Sequence, residues 1–183
     1  MLLILGILLE LICCGFVVVS LFRLLKLNYF NPIVKLFAEY LEPISKNIFF
    51  FMSPLLASIT FSIFLRLVSL KIIYPDAVIV QLLVISIFYV IFLTLTIIFW
   101  SILGGVILSW VASGSSNPLL QIVEEVSSKS LQPIKKFIPP AGGLDFTPII
   151  GFIILNAINF RILYPMLPPE TRPFYLLSQL LGW

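Results

Sequence analysis

Two charged residues lie deeper than any others within the long apolar runs of this 183-residue chain. Glu10 lies in the run Leu2–Leu25, and Arg66 lies in the run that extends from near Ile48 to near Tyr74. An ionisable side chain at membrane depth is costly, so such residues pair with one another or mark an ion or solute pathway. The two fall at similar depth in their helices. We therefore expect either an ion pair that joins the two helices or a polar point on a transport path.

The last apolar run contains further polar groups. Asn156 and Asn159 are three residues apart and share one face of a helix, whereas Arg161 lies away from Asn159, near the membrane boundary. These side chains extend a polar path if one exists. They fit equally well as hydrogen-bond partners of a neighbouring helix or of a lipid headgroup.

A polar stretch, PIKKFIPPAGGLDFTPII, interrupts the apolar sequence from Pro133 to Ile150. Pro139 and Pro140 cannot continue a helix, because proline lacks the backbone donor and clashes with the preceding turn. Gly142 and Gly143 allow a sharp reversal of the backbone. The stretch therefore predicts a rigid corner from which the chain re-enters the membrane.

The residues beside this corner are typical of the start of a helix and of a charged surface next to the membrane. Asp145 or Thr147 can cap the next helix, and Pro148 suits its first turn. Lys135 and Lys136 lie near the height of lipid phosphates. One interpretation is a turn with two lysines that extend to the headgroups. The other is a docking site for a partner protein or an anionic lipid.

These residues do not combine into a catalytic or metal site. The chain has no histidine, which removes the commonest metal ligand and the usual general base. Cys13 and Cys14 are adjacent in the first apolar run and are interpreted as buried apolar side chains. The Gly142-Gly143 pair lacks the lysine spacing of a phosphate-binding loop. We predict no catalytic residue, no metal, no cofactor and no nucleic-acid partner, and we expect that the protein is not an enzyme.

Transmembrane helices must position these side chains. The chain is 61% hydrophobic and 10% charged, and its apolar runs are long enough to cross a bilayer. The third run is longer than needed, so it can tilt, bend at Gly104–Gly105 or divide into two short spans. We predict an all-α membrane protein with four transmembrane helices. They are Leu2–Leu25, about Ile48–Tyr74, a helix within Ala77–Ala112 and about Thr147–Leu167.

The sequence matches itself at a shift of 86 residues. At this shift span one aligns with span three and span two aligns with span four. Because each half contains two spans, both halves have the same orientation and form a parallel repeat. We predict a first repeat over 1–75, a connector or helix extension over 76–86, a second repeat over 87–170 and a C-terminal tail over 171–183. The aligned pairs are Asn31-Pro32 with Asn117-Pro118, Glu39 with Glu125, Ile48 with Ile134, Phe51 with Phe137 and Pro54 with Pro140.

Each repeat loop contains a predicted amphipathic helix. The first begins with Asn31 at the cap and Pro32 at the first helical position, and it carries Glu42 on its polar face. The second begins with Asn117-Pro118. The pattern is typical of a helix lying in the membrane interface, and a short helix packed on protein fits equally well.

The distribution of Lys and Arg predicts the orientation of the spans. Seven of the eleven basic residues lie in the two repeat loops and three lie on the opposite side. Cytoplasmic loops are enriched in such residues. We therefore predict cytoplasmic repeat loops with both termini periplasmic or external. The lack of a transit peptide favours a bacterial inner membrane over a chloroplast.

The corner and its flanks resemble the hallmark motif of the YggT family, whose members include bacterial inner-membrane proteins and chloroplast relatives. The resemblance covers nearly the whole chain, but Lys129 stands where family members commonly carry proline. The first copy is eroded, with Leu56 and Ala57 where the second has its glycine pair, so any hallmark function is expected in the second half. The matching residues are Pro133, Ile134, Lys135, Lys136, Ile138, Pro139, Gly142, Gly143, Leu144, Asp145, Phe146, Thr147 and Pro148.

The resemblance implies a role but no established reaction. Relatives have been connected with osmotic-stress tolerance, membrane or division-related organisation, and assembly of cytochrome complexes in chloroplasts. Without histidine, the usual haem ligation cannot occur here. We expect a scaffold or assembly factor that presents the corner to another membrane protein, a second copy or anionic lipid of the bilayer. The alternative is an oligomeric channel or transport component affecting ion or osmolyte balance, with Glu10, Arg66 or the span-four asparagines along its path.

Overall fold

A computed structural model describes residues 2–111, 114, 116–137, 145–173 and 175, and every regular element among them is helical. The elements are α1 (Leu2–Leu24), α2 (Pro32–Tyr40), α3 (Glu42–Ile48), α4 (Pro54–Ile73), α5 (Ile79–Val111), α6 (Pro118–Lys135), α7 (Thr147–Asn156), a π-helical segment (Ala157–Leu163), α8 (Tyr164–Met166) and a 3₁₀ turn (Pro169–Thr171).

Within the described ranges, four helices are long and apolar enough to cross a membrane: α1, α4, α5 and the continuous run Thr147–Met166. The four predicted spans are thereby confirmed. The third is a single helix of 33 residues, so the alternative of two short spans is wrong. At 1.5 Å per residue α5 is about 50 Å long, which exceeds a hydrocarbon core of about 30 Å.

The second span begins later than predicted, at Pro54 instead of near Ile48. The Ser53 side chain accepts a hydrogen bond from the Leu56 N–H, and proline occupies the first turn. This cap, with a proline that suits the first helical position, fixes the start of the helix.

Long helices pack in antiparallel pairs. In α1 and α4, the Cys13 thiol donates to the Ser62 carbonyl at 3.3 Å, and the Ser69 hydroxyl donates to the Gly6 carbonyl at 3.2 Å. In α5 and α7, Phe99 stacks on Phe152 with ring centroids 4.3 Å apart. We call the end of the bundle that carries α2, α3 and α6 the connector side, and the opposite end the termini side.

Helix α6 packs on protein through glycines of its neighbours. A Cβ atom added to Gly105 of α5 would lie 2.5 Å from Ser127 Oγ, and one added to Gly151 of α7 would lie 2.5 Å from Leu131 Cδ2. Val126, Ser127 and Leu131 of α6 are buried. The glycines let α6 approach both α5 and α7 closely, so it is held against the bundle over its second half.

The first connector, which joins α1 to α4, contains two helices, α2 and α3, and not one; the second connector, which joins α5 to α7, contains α6. Proline in the first turn of α3 cannot donate to the preceding turn, so the chain breaks at Leu41. The break turns Glu42 inward, where it is buried and accepts hydrogen bonds from Arg23, including one from Nε at 2.6 Å. The expectation that Glu42 lies on a polar outer face was therefore wrong.

Candidate functional site

The two charges predicted inside the membrane are brought together. Arg66 Nη1 lies 3.7 Å from Glu10 Oε2, in a pair joining α4 to α1. The Tyr89 hydroxyl of α5 donates to Glu10 Oε1 at 2.8 Å, and the Arg66 guanidinium carbon lies 4.1 Å from the centre of the Tyr89 ring. Three helices thus meet at one polar cluster, which we call the buried cluster (Glu10, Arg66 and Tyr89).

A fourth element closes the buried cluster. Arg66 Nη2 donates to the Thr171 carbonyl at 2.6 Å, which connects α4 to the 3₁₀ turn after the last span. Leu167 and Thr171 are buried there. Irregular backbone at membrane depth is tolerated where protein buries it, and the Thr171 carbonyl meets that condition, whereas Pro169 and Glu170 beside it are exposed.

The buried cluster is sealed from solvent. Exposure is 2% for Glu10 and 0% for both Arg66 and Tyr89. Arg66 Nε and Nη1 have no hydrogen-bond partner within the described part of the chain. In a low-dielectric interior, charge attraction and cation–π contact are strong but must offset the cost of desolvation. The arrangement therefore suits a clamp between helices, and a conducting path would require it to open.

Sequence reasoning missed Tyr89 and Thr171. Tyr89 lies in the most apolar helix of the chain, and Thr171 participates only through its backbone carbonyl. One signal was available for Tyr89, because a tyrosine hydroxyl in an apolar span needs a hydrogen-bond partner. No side-chain signal exists for a carbonyl group.

At the predicted corner an ion pair spans the gap between α6 and α7. Lys135 Nζ lies 3.0 Å from Asp145 Oδ2, and Asp145 Oδ1 accepts from the Thr147 N–H at 2.9 Å. Asp145 therefore satisfies a free donor of the first turn of α7, in which Pro148 also lies. The Thr147 side chain, then its N–H group, then Lys135 lower the pKa of the Asp145 carboxyl to about 2.

The corner presents positive charge on its surface. The Lys135 and Asp145 side chains are 45% and 42% exposed. Lys136, at the end of α6, is exposed and has no ion-pair partner among the residues described. Pro133 lies within the last turns of α6. The predicted docking residues Pro139, Gly142 and Gly143 lie outside the described residues.

A second polar contact joins the α1–α2 loop to α6. The Asn28 N–H donates to the Glu125 carboxylate at 3.0 and 3.1 Å, and Lys129 Nζ lies 2.7 Å from Glu125 Oε1. The Lys129 ammonium group also donates to the Lys26 carbonyl. The Asn31 side chain donates to the Pro118 carbonyl at 2.8 Å. These contacts connect the first connector to the second along the length of α6.

The two asparagines of the last span have different surroundings. Asn159 is fully buried in the π-helical segment, and its amide hydrogen-bonds Thr96 Oγ1 of α5 at 2.7 Å. Asn156 is half-buried and borders a groove on the outer surface. Arg161 is exposed and borders the same groove. Only Asn159 therefore acts as a bond between helices.

No metal centre emerges from the residues that the structure describes, since no three His, Cys, Asp or Glu side chains cluster among them. The candidate functional sites are therefore the buried cluster, the charged corner and the outer groove of the last span.

Comparison with known proteins gives one family. The model of the CCB3/YggT family matches residues 84–166. An uncharacterized protein of Pseudomonas aeruginosa is 42% identical over 85 residues, which cover 46% of this chain and 43% of that protein. The uncharacterized protein YggT of Escherichia coli is 36% identical over 66 residues, which cover 36% of this chain and 35% of that protein.

A longer match exists at lower identity. An uncharacterized protein of Haemophilus influenzae is 28% identical over 146 residues, which cover 75% of this chain and 77% of that protein. The chain thus spans less than half of the first two relatives and most of the third. No solved structure matches the chain.

Proposed function

The chain belongs to the YggT family, and we propose that it is a non-enzymatic scaffold or assembly factor of the bacterial inner membrane. Its docking surface is the charged corner, which we define as Lys135, Lys136 and Asp145. The observation that carries this proposal is the ion pair of 3.0 Å between Lys135 and Asp145. It holds the corner in shape while Lys136 stays exposed beside it.

A docking surface needs a rigid support, and the contacts around the corner supply one. α6 is held against α5 and α7 by the close approach at Gly105 and Gly151. On its other side Glu125 and Lys129 bind the α1–α2 loop. A rigid surface loses less entropy on binding than a mobile one. Most of the second connector thus serves to position the corner.

The orientation that we propose places the connector side in the cytoplasm. Seven of eleven basic residues belong to that side, in keeping with the positive-inside rule. The charged corner then faces the leaflet surface that carries anionic lipid. Its partner is another membrane protein, with anionic lipid as a further ligand of the lysines.

The parallel repeat is also part of the proposal. Asn31 and Asn117 both cap a helix whose first residue is proline. In the first half no charged pair corresponds to Lys135 and Asp145, because Phe49 and Ile59 occupy the aligned positions. The first half therefore acts as a packing partner that supports the second.

Photo-crosslinking in intact cells tests the docking role. A photoreactive residue at Lys136 should yield a discrete crosslinked protein, and Asp145→Asn should reduce that yield by releasing Lys135. The matched control is Lys35, an exposed lysine of α2 on the same side that pairs with Glu39 at 3.7 Å. Equal products from both positions, or none from Lys136, would rule out docking at the corner.

The alternative function, an oligomeric channel, draws on Asn156 and Arg161 because they border the outer groove. The buried cluster argues against a path inside one copy, because its charges are sealed. Ion flux into sealed liposomes tests this function, with Asn156→Leu and Arg161→Ala beside the wild type. Flux from wild-type protein that either substitution alters would make transport the primary function.

A further inference from the structure

The last span has an outer face with unsatisfied polar groups. Only 17% of Thr147–Met166 is buried in the bundle, against 50%, 44% and 39% for the other three spans. Half of its exposed residues are isoleucines, such as Ile153 at 61%. The half-buried Asn156 and the exposed Arg161 border the groove on this face, and neither side chain has a hydrogen-bond partner among the described residues.

The depth of these two residues makes their exposure costly. Asn156 lies ten residues before the end of the span at Met166, or about 15 Å along a helix, which is the middle of a bilayer core of about 30 Å. An unpaired amide facing hydrocarbon there costs free energy. Arg161 lies about 7 Å nearer the termini side, and its long side chain can extend to the headgroups. Asn156 cannot, so it needs a partner at its own depth.

We propose that this face is the contact between two copies of the chain, related by a two-fold axis along the membrane normal. In such a pair identical residues meet at the same depth. A carboxamide has both a donor and an acceptor, so two Asn156 side chains satisfy each other without any further group. Ala157 beside Asn156 in the groove is small, and small residues permit the close approach on which membrane helix packing depends.

A second copy fits this face better than a different protein or a lipid. A heterologous partner would need a polar group of its own at the same depth, whereas the second copy has one by symmetry. Lipid acyl chains have no hydrogen-bonding group to offer. The inference deepens the proposed function, since a dimer carries two charged corners. It uses no residue of the corner, so either proposal can fail alone.

Cysteine crosslinking of the full chain in vesicles of phosphatidylethanolamine and phosphatidylglycerol tests the contact. In a Cys13→Ala, Cys14→Ala background, Ala157→Cys should form a disulfide-linked dimer on oxidation. The control is Leu11→Cys on α1, which is 51% exposed and lies about as far from the termini side as Ala157. Equal crosslinking at both positions would mean random collision and would overturn the proposal.

The contribution of Asn156 is measured without crosslinks by counting fluorescent subunits at decreasing protein density in the same vesicles. Asn156→Leu should weaken dimerisation about tenfold, the effect of losing two membrane hydrogen bonds, and Asn156→Gln should lose less. Monomers at all densities, with the face covered by lipid or by the chain's own C-terminal residues, would overturn the proposal. Asp145→Asn should reduce crosslinking at the corner and leave dimerisation unchanged.

Discussion

Breaking the buried cluster from one side should destabilise the protein more than removing both of its charges. The perturbations are Glu10→Gln, Arg66→Met and the double variant. Glu10→Gln keeps an acceptor for the Tyr89 hydroxyl but leaves the Arg66 guanidinium without its counter-charge. Arg66→Met leaves the Glu10 carboxylate without its counter-charge but with the Tyr89 hydroxyl, and it also removes the donor to Thr171.

The structure sets the size of the effect. At 3.7 Å and an effective dielectric constant of 20, the attraction between Glu10 and Arg66 is about 4.5 kcal/mol. Removing one member of a buried pair costs about 3–5 kcal/mol, because the other charge stays buried and uncompensated. The double variant removes both charges and leaves only the Thr171 carbonyl without a donor, at about 1–3 kcal/mol. It should therefore be more stable than either single variant.

Reversible unfolding in bicelles, monitored by steric trapping, measures the free energies of unfolding of the wild type, the two single variants and the double variant. Cys13→Ala is a suitable reference for packing changes in the same region, since Cys13 is fully buried one helical turn from Glu10. The reasoning would be refuted by a double variant whose loss of stability equals the sum of the two single losses. Additivity of that kind means that the two charges do not interact.

Three further predictions concern the connector side. The folded-state pKa of Asp145, about 2, lies below its usual 3.8, so its stabilisation is present above pH 3.8 and lost as pH falls towards 2. Asp145→Asn should remove that pH dependence, which is checked by measuring the free energy of unfolding during acid titration. The pH-dependent part of that free energy should be about 1 kcal/mol, because the pair is so exposed. Gly105→Ala should cost about 1–3 kcal/mol in thermal unfolding, and Gly15→Ala, with its nearest atom at 3.3 Å, should cost less. Glu125→Gln should speed hydrogen exchange at the Asn28 N–H, and unchanged exchange would contradict that contact.

The four spans and the juxtaposition of Glu10 with Arg66 could be predicted because both follow from hydropathy. Apolar runs define the helices, and equal depth in neighbouring helices brings two isolated charges within reach. The inward turn of Glu42 required a break at Leu41, which a single helical wheel over the segment does not show. Pro43 is the signal for that break, because it removes a backbone donor in the helix interior.

The surroundings of the last span could not be predicted for a different reason. A periodicity of 3.6 residues places Asn156 and Asn159 on one face, but the chain changes to π-helical geometry at Ala157. Longer hydrogen-bonded rings alter the angle between successive side chains there. Asn159 consequently reaches Thr96 inside the bundle, whereas Asn156 borders the outer groove.

The polar side chains at membrane depth therefore fall into two classes, and the division assigns their roles. Glu10, Arg66, Tyr89 and Asn159 find partners within the bundle, and each is at most 2% exposed. Selection for stability alone accounts for them, because a bundle without bulk water must satisfy its own polar groups. Asn156 borders the outer groove without a hydrogen-bond partner in the described part of the chain. Folding of one copy therefore does not offset the free-energy cost of placing its amide at membrane depth. A group of that kind is accounted for by a contact that forms after folding, and substitution at Asn156 should change association while leaving the stability of one copy nearly unchanged.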